Sequence, residues 1–167
     1  ILTVVPTELP GIQAESPADL VALSASHTGK VSLVDVEVDH QWLLAGPIEN
    51  VMAQGIGART GGLQTSTLAI GLTGAAIDFI FTESKNRSDL LPPAEALNEE
   101  REALKTILLQ SALGAETCGT EELRQRCNSL VLRSTQAALS AAKGMGFVAG
   151  HPVGRWCREA LFFMVWS

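Results

Sequence analysis

The residue types that most often carry out chemistry are sparse and scattered in this chain of 167 residues. The three histidines, His27, His40 and His151, lie far apart, and none stands four residues from a carboxylate. A metal site needs several ligands close together, so this spacing favours ordinary surface or loop histidines over metal ligands. The sequence also lacks a serine nucleophile elbow and a phosphate-binding loop, since residues 55–59 form only a fragment of a glycine-rich turn. No metal is predicted.

Two further groups of residues allow more than one reading. The charged residues over 95–105 could include an acid/base pair, but their pattern is more typical of the solvated face of a helix. The three cysteines are odd in number and have no C-x-x-C spacing, which argues against a disulfide framework and a zinc site. Reduced cysteines predict a cytoplasmic location.

The charge and the hydropathy of the chain exclude two classes of partner. With 12 basic and 18 acidic residues the net charge is −6, and no run of Lys or Arg is present, so nucleic acid is not an expected partner. The longest nearly apolar stretch, 68–81, has about 14 residues, whereas a membrane span needs about 20. This stretch predicts a buried core helix and no membrane partner.

The first part of the chain predicts β-structure. Residues 31–38 alternate between apolar and polar side chains, which is typical of a half-buried antiparallel strand, and residues 1–5 form a short apolar strand. Two or three strands with one apolar face are not stable alone, so they must pair with strands outside this chain or pack on its helical part. Because the chain opens within a strand, we expect it to be a piece of a longer protein. We place this incomplete β-domain at 1–47.

The remainder, 51–167, has helical periodicity. A helix over 60–84 is apolar around most of its circumference and predicts a central position. Pro92-Pro93, Thr120 as an N-cap before Glu121-Glu122, and Pro152 predict the starts of three more helices. The expected fold class is α+β, mostly α: a four-helix up-down bundle preceded by a few antiparallel strands.

The most specific signal lies near the end of the chain. Residues 143–160 read K-G-M-G-F-V-A-G-H-P-V-G-R-W-C-R-E-A. This run resembles the C-terminal signature of the acyl-CoA dehydrogenase family, G-G-x-G-[YF]-x-x-x-x-P-V-x-[KR]-x-x-R-[DE]-A. Residues 26–46 are similar to the stretch that closes the middle β-domain of that family, and residues 67–76 are similar to its first bundle helix. The three matches occur in the family's order.

The resemblance implies a flavoprotein with an N-terminal helical domain, a middle β-domain and a C-terminal four-helix bundle. In that family a glutamate removes the α-proton of an acyl-CoA thioester, a hydride leaves the β-carbon for FAD, and electrons pass to an electron-transferring flavoprotein. The base must be a carboxylate whose pKa is raised by apolar surroundings. The resemblance also implies a homo-oligomer.

This sequence departs from the family at the residues that matter most. The commonest position of the base corresponds to Ser167 and the alternative position to Gln64, and neither side chain can accept the proton, so the catalytic residue is unknown. The family's Q-x-x-G-G, whose backbone approaches the cofactor pyrophosphate, corresponds to 140–144 and makes Ser140, Lys143 and Gly144 the expected FAD contacts. Lys143 could instead be a surface residue at a helix end, and Gly144 could only terminate the helix.

Two hypotheses follow from the resemblance and its departures. The first is a fragment of an acyl-CoA dehydrogenase-like flavoprotein, in which this fragment alone is inactive. The second is a non-catalytic oligomerisation scaffold derived from that family. The missing glutamates favour the scaffold, and the signature over 143–160 favours the flavoprotein.

Overall fold

The structure is a computed structural model that describes residues 1–54, 63–115 and 117–165. The chain divides into two compact units, Ile1–Arg59 and Thr60–Ser167. Along the described residues a few short antiparallel strands precede four α-helices. The predicted fold class, α+β with mostly α, is therefore confirmed. The finer domain limits of 1–47 and 51–167 stay predictions.

The first unit contains two small antiparallel sheets of two strands each. The strands are β1 (Leu2–Thr3), β2 (Ile12–Ala14), β3 (Val31–Leu33) and β4 (Leu43–Ala45). Strand β1 pairs with β4, and β2 pairs with β3 so that Ile12 lies opposite Leu33. Strand β2 has no counterpart in the sequence prediction, because three residues are too few to show an alternating pattern.

The long half-buried strand predicted over 31–38 is wrong in two respects. Strand β3 ends at Leu33, because Asp35 has a φ of 49°, in the left-handed region that interrupts extended backbone. The apolar residues Val31 and Leu33 are also exposed, at 53% and 54% of their surface. Alternation therefore indicates the strand but not a buried face, since burial requires a second layer to cover the side chains.

The second unit is built from helices. Their bounds are α1 (Leu63–Ser84), α2 (Leu91–Ala112), α3 (Thr120–Ala142) and α4 (Pro152–Ala160), and a 3-10 turn over Leu161–Met164 follows α4. The proline signals are confirmed, because Pro92 and Pro152 lie in the first turns of their helices, where no N–H donor is needed. The cap of α3 differs from the prediction: Gly119 is the N-cap without a side-chain hydrogen bond, and Thr120 is already helical.

The helix directions follow from contacts at their ends. Arg87, just after α1, donates a hydrogen bond to the carbonyl of Ala141 near the end of α3, so α1 and α3 run in the same direction. Later residues of the α4 region contact earlier residues of α3. The thiol of Cys157 donates to the carbonyl of Thr135, and the side chain of Asn128 donates to the carbonyl of Phe163. Helix α4 is therefore antiparallel to α3, as in an up-down bundle.

Helix α1 has the central position that its sequence predicts. It packs against α2, α3 and α4 and contributes to both clusters of the apolar core. By length and hydropathy alone α1 could also cross a membrane, but half of its most apolar window is buried inside the unit. The core helix of a globular domain meets the same criterion. Of its two inner glycines, Gly74 lies against the guanidinium of Arg101, whereas a Cβ on Gly71 would meet nothing within 4 Å.

The buried thiol of Cys127 makes the stability of the bundle sensitive to alkaline pH. Burial, opposed in part by a hydrogen bond with Ser66, raises the pKa of Cys127 to about 11. The thiol of an unfolded chain ionises near pH 8.5. Above that pH the unfolded state releases a proton that the folded state keeps, so the free energy of unfolding falls as the pH rises toward 11.

We expect this decline to reach up to about 1.4 kcal/mol per pH unit between pH 9 and 11. Urea titrations at pH 8, 9 and 10 would measure it. The Cys127→Ala variant provides the control, because its stability must fall less steeply over the same range. Parallel curves for the two proteins would contradict the prediction.

Candidate functional site

The residues of the C-terminal signature lie where α3 passes into α4. Helix α3 ends at Ala142, a 3-10 turn covers Lys143–Phe147, and α4 starts at Pro152. The helix stops because Lys143 has a φ of 53° and a ψ of −142°. This backbone conformation is incompatible with helix and is one that glycine adopts more readily than other residues.

The three residues expected to contact a cofactor lie together along this turn. Ser140, Lys143 and Gly144 are all exposed, and the Ser140 hydroxyl donates to the carbonyl of Gln136 at 3.1 Å. A Cβ added to Gly144 would meet nothing within 4 Å. The backbone of the turn is thus open to an approaching group, with a lysine ammonium next to it in sequence. The role of these residues as flavin contacts stays a prediction.

The conformation of Lys143 leads to a test of backbone strain. Glycine, which the family has at this position, adopts a positive φ without steric cost. Because the lysine charge also favours the end of a helix, Lys143→Ala is the matched reference: it removes the charge but keeps the strain. We expect the free energy of unfolding of Lys143→Gly to exceed that of Lys143→Ala by about 1 kcal/mol, because glycine relieves the strain. Equal denaturant midpoints for the two variants would contradict the assigned conformation.

Two glycines hold the turn against the next helix. A Cβ on Gly154 would lie 2.3 Å from the carbonyl oxygen of Gly146, and a Cβ on Gly146 would lie 2.4 Å from the side chain of Leu139. The first turn of α4 therefore touches the backbone of the preceding turn directly. Gly146 belongs to the signature, but position 154 is unspecified in it, so the sequence prediction missed Gly154. The only signal was a residue without a side chain in the first turn of a helix.

His151 has a structural role that explains it without a metal. Its Nδ1 accepts a hydrogen bond from the backbone N–H of Val153 at 3.3 Å, which caps the start of α4. Its ring meets the ring of Phe79 edge-on, with centroids 5.9 Å apart. Across the described parts of the chain, no group of three His, Cys, Asp or Glu side chains is arranged to hold a metal ion.

A cleft of about 390 Å³ lies beside this junction. It is lined by residues 146–150 together with Leu139, His151, Gly154, Arg155, Cys157 and Arg158. Arg155 faces Glu159 at 3.5 Å, and the Cys157 thiol donates to the carbonyl of Thr135 at 3.2 Å. Burial raises the pKa of Cys157, so this thiol stays protonated at neutral pH and is a poor nucleophile. Among the described residues that line the cleft, none is a carboxylate.

The positions that correspond to the family's base carry no acid. Gln64 is exposed in the first turn of α1, and Ser167 and the glycine-rich 55–59 lie outside the described residues. Glu159, the carboxylate closest to the signature's end, faces Arg155 and has the environment of an ion pair. Within the described residues, the junction therefore offers no carboxylate free of an ion pair to replace the family's base.

The acidic stretch of α2 has the contacts of a solvated helix face. Glu100 pairs with Arg133 of α3 at 2.6 Å, and Glu102 pairs with Arg101 at 2.7 Å. Both carboxylates are partly exposed, at 38% and 48%. Exposed pairs of this kind contribute about 0–1 kcal/mol each and are typical of a solvated helix face.

The sequence comparisons find one curated relative. A scan against protein-family models finds no match. The chain is 22% identical over 172 residues to the probable acyl-CoA dehydrogenase YngJ of Bacillus subtilis (strain 168). The alignment covers 94% of this chain and 45% of that protein, so the chain spans about half the length of its curated relative.

Solved structures have the same fold. Butyryl-CoA dehydrogenase from Megasphaera elsdenii matches with a TM-score of 0.81 at 17% identity, over 98% of this chain and 47% of the other. The complex of glutaryl-coenzyme A dehydrogenase with glutaryl-CoA also gives 0.81 at 17% identity, over 97% and 45%. A nitrososynthase from Micromonospora carbonacea var. africana gives 0.74 at 21% identity, over 99% and 50%.

These matches agree with the signature found in the sequence. KijD3, another structural match with a TM-score of 0.68 at 21% identity, over 99% of this chain and 46% of the other, was solved in complex with FMN. The sequence match, the shared fold and the signature over 143–160 agree in pointing to acyl-CoA dehydrogenase-like proteins. Together, the curated relative and the solved dehydrogenases support the acyl-CoA dehydrogenase family for this chain.

Proposed function

We propose that this chain is part of an acyl-CoA dehydrogenase-like flavoprotein that introduces a double bond between the α- and β-carbons of an acyl-CoA thioester. The open turn after α3 is the observation that carries the proposal. Gly144 leaves room for a group to approach the backbone, and the exposed Lys143 supplies a positive charge beside it. This turn stands at the position of the family's Q-x-x-G-G.

The residues of the turn suit a pyrophosphate. Lys143 would neutralise part of its charge, Gly144 would let phosphate oxygens come close to the main chain, and the Ser140 hydroxyl lies one helical turn before them. Bound FAD would accept the hydride that leaves the β-carbon. The protein's share is to bind and orient the cofactor and to keep the reacting carbons apart from water.

The α-proton needs a separate acceptor. Because Gln64 and Ser167 cannot take it, the proposed enzyme requires a carboxylate at another position, in apolar surroundings that raise its pKa toward neutrality. The proposed partners are an acyl-CoA substrate and an electron-transferring flavoprotein. We further propose a homo-oligomer in the cytoplasm and no nucleic-acid or membrane partner.

One observation favours a second candidate function, a non-catalytic oligomerisation scaffold. Large apolar side chains are exposed at the junction, with Met145 at 60% and Phe147 at 80%. Exposed apolar side chains close together are typical of a surface that another subunit covers. A scaffold needs this surface but no catalytic base, which is consistent with Gln64 and Ser167 at the two positions where the family has its glutamate.

The two proposed functions predict proteins that differ in flavin absorbance and in their reaction with an acyl-CoA. We expect the purified full-length protein to be yellow and its flavin absorbance to bleach when butyryl-CoA or glutaryl-CoA is added without oxygen. A protein that is colourless and cannot be reconstituted with FAD, yet remains oligomeric in analytical ultracentrifugation, would overturn the enzyme and support the scaffold.

The contribution of the turn can be measured separately. Lys143→Glu places a negative charge at the proposed pyrophosphate site and is expected to lower flavin retention during gel filtration by about tenfold. Lys105→Glu is the matched control: Lys105 is an exposed lysine of α2 that pairs with Glu102 at 3.5 Å. Equal flavin retention in the two variants would remove Lys143 from the site.

A further inference from the structure

We propose that the cleft beside the α3–α4 junction binds a small organic anion, a phosphate or carboxylate group on an apolar body, with Arg155 and Arg158 holding the anionic group. Lys143 and Gly144 do not line this cleft, so the proposal is independent of the flavin site proposed above. The charge of the cleft, the geometry of its arginines and its apolar wall support this assignment.

The charge of the cleft is opposite to that of the chain. Two guanidinium groups line it, and none of its lining residues within the described parts of the chain is a carboxylate, although the chain as a whole carries a net charge of −6. A concave surface with charge of one sign concentrates ligands of the opposite sign. Guanidinium groups in particular match the oxygen geometry of phosphates and carboxylates.

Arg155 is held weakly enough to accept a ligand. Its Nε lies 3.5 Å from Glu159, and its side chain is 60% exposed. By contrast, Arg124 and Arg133 each approach a carboxylate to 2.6 Å. An exposed pair at the longer distance contributes little, so a ligand oxygen that makes charge-assisted hydrogen bonds can replace Glu159.

The first turn of α4 adds a second source of positive potential. Gly154, the third residue of the helix, lines the cleft without a side chain, and Nη1 of Arg158 lies 3.7 Å from where its Cβ would be. A ligand can thus reach the start of the helix, where the aligned peptide dipoles favour an anion, and meet a guanidinium at the same place.

The other wall of the cleft is apolar. Leu139, Phe147 and Val148 line it, and Phe147 and Val148 are 80% and 52% exposed. The volume of about 390 Å³ exceeds what a single phosphate fills and lies within the range of small-molecule sites. The cleft therefore fits an anion that carries an alkyl or aromatic group better than an inorganic ion.

The test uses phenyl phosphate, benzoate and phenol with the full-length protein at constant ionic strength. We expect phenyl phosphate or benzoate to raise the thermal midpoint and to show saturation-transfer NMR signals, with phenol inactive. The tighter of the two anions identifies the head group. If neither anion has an effect beyond that of sodium chloride, the proposal is overturned.

Variants then locate the binding. Arg155→Ala and Arg158→Ala are each expected to weaken binding at least about tenfold, and Arg158→Lys less. The matched control is Arg126→Ala, because Arg126 also faces a glutamate four residues away, Glu122 at 3.7 Å, with a side chain 43% exposed. Equal losses in Arg126→Ala would mean a general charge effect and overturn the assignment. Flavin content, measured in parallel, reports on the flavin site alone.

Discussion

Ile77→Ala is expected to lower the free energy of unfolding by about 2–5 kcal/mol. Ile77 lies on the central helix α1 and is only 1% exposed, so the substitution removes apolar atoms from the core and leaves a cavity that rigid neighbours cannot fill. Urea titration of the full-length protein, followed by circular dichroism at the helical signal, measures the loss. Helix α1 contributes to both core clusters, and we therefore expect the whole bundle to unfold in one transition.

Leu68→Ala on the same helix is the matched control. Leu68 is 54% exposed, so the same shortening of an apolar side chain removes little buried surface and should change stability by no more than about 0.5 kcal/mol. A loss below about 1 kcal/mol for Ile77→Ala would mean that α1 is peripheral, and the arrangement of the bundle would have to be revised.

Gly154→Ala should have the largest effect at the α3–α4 junction. The added methyl group would lie 2.3 Å from the carbonyl oxygen of Gly146, and because that atom belongs to the main chain it cannot move aside by a change of rotamer. Either α4 or the preceding turn must shift. We expect a loss of about 1–3 kcal/mol, as for other substitutions that overfill a packed site, together with weaker binding of the anion in the cleft.

Gly144→Ala separates this steric effect from the general consequences of replacing a glycine. Position 144 lies in the same turn, and an added Cβ there would meet nothing within 4 Å. Its stability should remain within about 0.5 kcal/mol of the unchanged protein. Similar losses at 144 and 154 would show that the close contact between Gly146 and Gly154 does not exist in solution.

Start signals and hydrophobic periodicity made the helices predictable. Pro92 and Pro152 lie in the first turns of their helices, and the apolar circumference of 60–84 correctly indicates a central helix over its described part. These signals act within a few residues, because a helix satisfies its backbone groups locally. Strands depend on partners distant in sequence. The alternation over 31–38 could therefore not show that Val31 and Leu33 are exposed or that β2 pairs with β3.

The candidate site also has features that the sequence predicts and features that only the structure shows. The signature over 143–160 is contiguous, and the absence of an acid at 64 and 167 is a property of residue type, so the sequence by itself determined the resemblance and its departures. Only the tertiary structure decided that Lys143 has a positive φ, that Gly154 touches Gly146, and that Arg155 and Arg158 line one cleft. Those features depend on how α4 folds back along α3, and such packing is a balance among many side chains that no local pattern encodes.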